Sequence, residues 1–331
     1  MSIEIIVSIF YGFLDLARYL ITFTDNMILN MKDSMKIKSL VILLVFICVT
    51  SFSQTIYGDM SLPPGAFLWL PADASSEALA GSGTAGHIET STGWANPATI
   101  GDVENLIAGA TYSYMRYKTN HSSLFSNYHY QKWSGAVKLF LINSTDIEAR
   151  SGPTEDPQYT FASHQLYSQF TVAREIYDFM KLGVSAKWIH ERIDQDDRSG
   201  WIFDAGVTGN YKFIDLGFSV QNYGKEVVFR MYRERYPLTY RAGISSQILD
   251  YGRLWVDYIK PDRLDGWYAI GAEGKISHNF NLRLGYTLNH DTRNISMGIG
   301  AKFNDFQLDY AMANYSEGLG LSHQVTLSYN R

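Results

Sequence analysis

The chain has 331 residues, of which 46% are hydrophobic, 15% aromatic and 18% charged. The charged fraction lies below the roughly 25% of ordinary globular chains, and the excess of Tyr, Phe and Trp excludes a disordered or fibrous protein. A net charge of -5 leaves no basic field for nucleic acid, and the sole cysteine, Cys48, provides neither a disulfide framework nor a thiolate metal site.

The N-terminal 53 residues read as processing segments. Residues 1–34 hold an apolar stretch broken by Asp15 and Arg18, which reads as an upstream extension from a mis-called start codon, the alternative being an anchor helix. Residues 35–53 have the pattern of a secretory signal peptide. Lys36 and Lys38 form a basic start, residues 40–49 an apolar run too short to span a bilayer, and Ser51-Phe52-Ser53 a small-x-small cleavage site before Gln54. Bulky Ile47 before Cys48 argues against lipidation of that cysteine. Residues 54–103 are polar and glycine-rich, with too little apolar surface to fold alone. They predict a hatch or plug lodged in a larger structure, or else a disordered periplasmic tail.

From residue 104 to 331 the period becomes two. In the stretch 278–288, Phe280, Leu282, Leu284, Tyr286 and Leu288 alternate with Asn281, Arg283, Gly285 and Thr287. Segments of this kind number fourteen: 104–118, 122–131, 134–142, 162–173, 180–190, 200–210, 213–222, 238–248, 252–260, 266–275, 278–288, 294–302, 304–314 and 319–330. Most have the length that a tilted strand needs to cross a membrane, about 9–11 residues, whereas soluble strands average about 5–6. The longer connections, such as 143–161, 191–199 and 223–237, fall between odd and even segments, and short ones fall between even and odd. Two connections depart from that sorting, the short 119–121 and the longer 174–179. Outer-membrane barrels sort loops in this way, and a sandwich has no reason to. Tyr112, Tyr130, Trp188, Trp201, Tyr211, Trp255, Trp267 and other aromatics near strand ends are expected in interfacial girdles. The fold class expected is an all-β transmembrane antiparallel barrel of about fourteen strands with an N-terminal hatch, in the outer membrane of a bacterial cell.

The glycine-rich run at residues 80–86, with Gly81 and Gly83, followed by Gly93-Trp94-Ala95-Asn96-Pro97-Ala98, resembles the opening of the PorV/PorQ family, within the FadL-like outer-membrane barrels. The resemblance covers residues 60–331 and departs at Tyr329-Asn330-Arg331, where the family usually ends on an aromatic residue. It implies a non-enzymatic type IX secretion component that docks or shuttles exported proteins, with secretion-system subunits and outer-membrane lipid as partners. The wider FadL-like resemblance implies, alternatively, a transporter of long-chain fatty acids or other hydrophobic ligands past an Asn96-Pro97-Ala98 hatch.

Charges on the polar strand faces, among them Lys138, Lys187, Asp204, Arg241, Asp257, Arg283 and Asp309, are expected to form salt-bridged ladders that line the lumen. The polar faces show no continuous apolar lining, which favours docking over transport. The loop at 223–236, with Phe229, Arg230, Tyr232 and Arg233, carries residue types enriched at interfaces and is the candidate partner contact. Asp194-Gln195-Asp196-Asp197 lacks the glycine and later glutamate of a calcium loop. Ser322 and His323 are neighbours on a strand and face opposite ways, so they cannot share a proton. No metal site, cofactor or catalytic grouping is expected.

Overall fold

The computed structural model describes residues 65–331 apart from 91, 116–117, 151, 153–155, 230–231, 249–250 and 317. The segment 1–34 and the signal sequence lie outside the described residues. Among the described residues, fourteen strands close into one antiparallel barrel. They are β1 (Leu106–Met115), β2 (Thr119–Tyr130), β3 (Trp133–Ala149), β4 (Tyr159–Tyr177), β5 (Met180–Ile193), β6 (Asp196–Tyr211), β7 (Ile214–Gly224), β10 (Thr239–Ile248), β11 (Gly252–Pro261), β12 (Trp267–Ser277), β13 (Phe280–Leu288), β14 (Arg293–Phe303), β15 (Phe306–Tyr315) and β16 (Gly320–Asn330). Two short strands, β8 (Val227–Phe229) and β9 (Tyr232–Glu234), pair with each other in the loop after β7. Each wall strand pairs with the next along the chain, and β16 closes on β1 with Ile107 opposite Asn330.

The sequence period explains the wall. On β16, Ser322, Gln324, Thr326 and Ser328 are buried, while Leu321, Val325 and Leu327 are exposed. That is the inverse of a soluble sheet, and it recurs around the barrel, with Leu139, Phe170, Val184, Phe218, Ile244 and Ile299 on the outside. One rim carries two-residue turns at 131–132, 178–179, 212–213, 278–279 and 304–305. Gln131, Lys212 and Asn304 adopt positive φ there, as tight hairpins require. The expected longer connection at 174–179 is corrected: β4 runs to Tyr177, leaving only Asp178 and Phe179 as a turn. Exposed Tyr130, Trp133, Tyr177, Phe179, Tyr211 and Phe213 ring this rim, with Arg174 lying 4.8 Å over Trp133.

The opposite rim carries the longer connections, apart from the two-residue turn at Asp194-Gln195, and the greatest departures from the sequence reading. Strands β3 to β6 have 17, 19, 14 and 16 residues, against 9 to 12 for the other wall strands. Most of residues 143–161 and 191–199, expected as loops, is strand. The signal is hidden on β3 because the register shifts between Ser144 and Ile147, with Asp146 at positive φ, so the alternation changes face midway.

Residues 65–103 run against the inward faces of this wall, and those from 71 to 86 are buried throughout. They contain a 3-10 turn (Ala66–Trp69), a one-turn helix α1 (Ala74–Ala78) and a second 3-10 turn (Pro97–Asp102). α1 packs on β13 to β16, and the second turn on β3 to β6. A free tail would leave its backbone groups to water. Here they bond the wall, as in Ala74 N to Thr326 Oγ1 at 2.9 Å and Ala80 N to Ser296 Oγ at 3.0 Å.

Candidate functional site

The hatch residues lie where the sequence places glycines in the wall. Asn96 caps the second 3-10 turn, its Oδ1 accepting from Ala98 N at 3.0 Å. Its Nδ2 donates to the carbonyls of Thr84 at 2.8 Å and Val207 at 3.0 Å, so one side chain ties two parts of the inner segment to β6. Pro97 occupies the first position of the turn, where a missing N–H costs nothing. This packing needs Gly183 and Gly206 opposite. A Cβ on Gly206 would lie 1.9 Å from Asn96 Oδ1, and one on Gly183 2.4 Å from Ala98 N. Gly81 and Gly83 have φ of 73° and 126°, and the Gly81 carbonyl accepts from the Arg241 guanidinium.

The charged residues of the polar faces pair much as expected. Arg241 meets Asp257 at 3.2 Å, and Asp257 Oδ2 also accepts from Thr84 N at 2.9 Å. Arg283 meets Asp309 at 2.5 Å, Glu273 at 2.6 Å and Glu89 of the inner segment at 2.9 Å. Arg293 meets Glu77 of α1 at 2.9 Å, and Tyr315 donates to the same carboxylate at 3.1 Å. The wall partners in these pairs all lie on β10 to β15. Lys302, also on a strand, is exposed at the short-turn rim.

The other side of the interior differs, and here the expectation of no apolar lining is corrected. Phe140 and Ile142 on β3, Tyr167 on β4, Ile189 on β5 and Ile202 on β6 point inward and form one buried cluster with Phe67, Leu68, Trp94 and Tyr236. Phe140 stacks on Tyr167 at 4.9 Å and 15°, with Phe67 6.4 Å from the same ring. The sequence signal was a run apolar on both faces, Val137-Lys138-Leu139-Phe140-Leu141-Ile142, which a period-two reading scores as a single face. Trp255 and Trp267, expected in the girdles, also turn inward. Trp255 Nε1 donates to the Gly86 carbonyl at 2.8 Å, and Trp267 packs edge-on to Trp69 at 5.7 Å.

Polar groups bracket the cluster above and below. Toward the long-loop rim, Tyr236 donates to Glu191 at 3.1 Å, Glu191 pairs with Arg198, and Arg198 lies 5.5 Å over the Tyr236 ring. Burial, with Glu191 beside it, pushes the Tyr236 phenol well above its ordinary range, so it stays a donor. On the other side, the ammonium groups of Lys138 and Lys187 sit 5.7 and 6.0 Å over Tyr167. Lys187 pairs with Asp204 at 2.7 Å and donates to Asn222 Oδ1 at 3.2 Å. Lys138 donates to the Thr92 carbonyl at 3.4 Å. The β6–β7 register shifts here between Phe203 and Ala205, with Asn222 at a φ of 65°.

The candidate partner loop separates into parts. Arg233 is exposed, Phe229 and Tyr232 pair across the β8–β9 hairpin, and Arg230 lies outside the described residues. Ser322 is buried and His323 exposed, bonding outward to Tyr310 Oη at 2.8 Å, so the two face opposite ways as the strand requires.

No protein-family model matches the chain, and no curated protein matches its sequence. Solved structures do match. The Pseudomonas putida toluene transporter TodX aligns at a TM-score of 0.63 and 11% identity, over 78% of this chain and 98% of that one. A Pseudomonas aeruginosa FadL homologue aligns at 0.60 and 9%, over 79% and 99%. The chain therefore has the FadL-like fold, and the secretion role implied by the opening motif draws no support from these neighbours.

Proposed function

We propose that the protein is an outer-membrane transporter that passes hydrophobic molecules through a hatched barrel. The carrying observation is the buried apolar cluster of Phe67, Phe140, Ile142, Tyr167, Ile189 and Ile202 inside a wall whose inward positions are elsewhere mostly polar. The TodX and FadL-homologue neighbours share the architecture, and TodX is by its description a toluene transporter. The exposed apolar belt meets outer-membrane lipid. The short-turn rim faces the periplasm, as in bacterial barrels generally, and puts the cluster beneath the extracellular mouth.

The chain's own groups suggest the steps. A hydrophobic molecule displaces Phe67 from the Tyr167 and Phe140 rings, exchanging like contacts for like, so that little net burial is lost. The ammonium groups of Lys138 and Lys187 lie against the same ring, within reach of a polar or carboxylate end such as that of a long-chain fatty acid. The Asn96-Pro97-Ala98 turn closes the way below, as the hatch. Uptake of toluene and of a fluorescent long-chain fatty acid into proteoliposomes tests this reading. Flux well above that of protein-free liposomes is expected for at least one, and loss of that flux in Tyr167→Asp, with the barrel still folded on a heat-shift gel. Background flux of both compounds through the unaltered protein overturns it.

A further inference from the structure

At the periplasmic mouth the inner segment comes down to the solvent at one place. Among its described residues between 71 and 100, only His87, Ile88 and Glu89 escape burial, and they line a polar cavity of about 760 Å³ ringed by the short-turn rim. Gly86 and His87 turn the chain there at φ of 88° and 64°. Above, the Gly86 carbonyl is held by Trp255; below, Glu89 accepts from Gln307 at 2.7 Å, Arg283 at 2.9 Å and Asn281 at 3.1 Å. We propose that residues 86–90 are the periplasmic gate of the barrel and that Glu89 is its latch, an inference that rests on the transport reading.

The charges around Arg283 make this tie releasable where others are not. Arg283 already holds two carboxylates of the wall, Asp309 and Glu273, so the departure of Glu89 leaves no buried cation unpaired. Glu89 itself has 28% of its side chain exposed and enters water as it leaves. Three carboxylates around one guanidinium also repel one another, which favours release of the one that is not fixed on a wall strand. The tie of Glu77 to Arg293 has the opposite character, since both partners are buried and separation strands two charges. The gate also connects to the apolar cluster. Thr90 and Thr92 donate to Asp73 at 2.8 and 3.2 Å, and the Thr92 carbonyl accepts from Lys138, so a ligand that draws Lys138 aside loosens the stem of the same loop.

Ion conductance in planar bilayers reads the gate without any hydrophobic substrate. Glu89→Gln and Glu89→Ala are expected to raise the open fraction at least about tenfold, the shift that one charge-assisted hydrogen bond supplies. Glu104→Gln, on the same cavity but outside the latch, is expected to leave it unchanged. In a chain with Cys48→Ser, the pair Glu89→Cys and Gln307→Cys bridged by a short bifunctional thiol reagent is expected to fall to the closed level and to stop hydrophobe flux. Glu89→Ala conducting like the unaltered protein, or a bridged pair conducting like the unbridged one, overturns the gate. If the Glu89 variants open to ions while the unaltered protein moves no hydrophobe, the gate stands and the transport reading falls.

Discussion

The two sides of the barrel interior solve the same problem with different chemistry. Along β10 to β15 the inner segment is held by buried charges of the wall: Glu77 pairs with Arg293, Thr84 and Gly81 bond the Arg241–Asp257 pair, and the releasable Glu89 pairs with Arg283. Along β3 to β6 it is held mainly by aromatic and aliphatic packing and by close approach to glycines, with one ion pair at the periplasmic end, Lys181 to Asp102 at 2.7 Å. Buried ion pairs fix position because breaking one strands a charge. Apolar contacts are non-directional, so another apolar molecule replaces them with little loss. The charged side therefore anchors, and on the proposed transport reading the apolar side is where a ligand exchanges with the protein's own side chains.

Four variants or conditions sharpen or break this contrast. Arg283→Met has the largest expected effect, because Asp309, Glu273 and Glu89 lose their shared cation; a loss of about 3–5 kcal/mol is expected in urea unfolding from lipid vesicles. A loss below about 1 kcal/mol would mean that the charged side is no anchor. Phe140→Ala is expected to cost about 3 kcal/mol through the cavity it leaves, and saturating toluene should restore part of that stability. Toluene should not rescue Arg283→Met. Asn96→Ala removes the two bonds to the Thr84 and Val207 carbonyls and the cap on Ala98, with an expected loss of about 1–3 kcal/mol and faster proteolysis of the inner segment.

The smallest effect is local and depends on pH. His290, in the connection between β13 and β14, is held at about 4, below its ordinary value, by burial and then by Arg293. Its Nδ1 accepts from the backbone N–H of Thr292 at 3.2 Å and of Arg293 at 3.0 Å, contacts that only the neutral ring makes. The folded value lies below the unfolded one near 6.5, so the unfolded state takes up the proton first as pH falls. The contribution is complete above 6.5, is lost progressively down to about 4 and is then constant. Imidazole titration by NMR should report a midpoint near 4, and one near 6.5 would remove the effect.

The wall was legible because lipid outside and polar groups inside enforce a two-residue period over residues 104–331, and all fourteen strands follow it. The extensions of β3 to β6 beyond the belt were not legible, since lipid no longer selects the outer face there and the shift at Ser144 to Ile147 moves the pattern. The glycines and Asn96 of the expected hatch could be picked out as positions of close approach, and Gly183 and Gly206 of the wall lie against Ala98 and Asn96. The apolar cluster was missed because five wall strands or loops each supply only one or two of its side chains. Beyond the apolar run at 137–142 no segment carries the pattern, and it is the pairing of β3 to β6 around the inner segment that brings Phe67, Phe140, Tyr167, Ile202 and Tyr236 together.

The most direct test of the central claim is photo-crosslinking with a diazirine-bearing aromatic hydrocarbon in proteoliposomes, mapped by mass spectrometry and competed with toluene. Competable adducts on peptides carrying Phe67, Phe140, Tyr167 or Ile202 are the result expected of a transporter that exchanges ligand at this cluster. Labelling confined to the lipid-facing belt, indifferent to toluene, would contradict it.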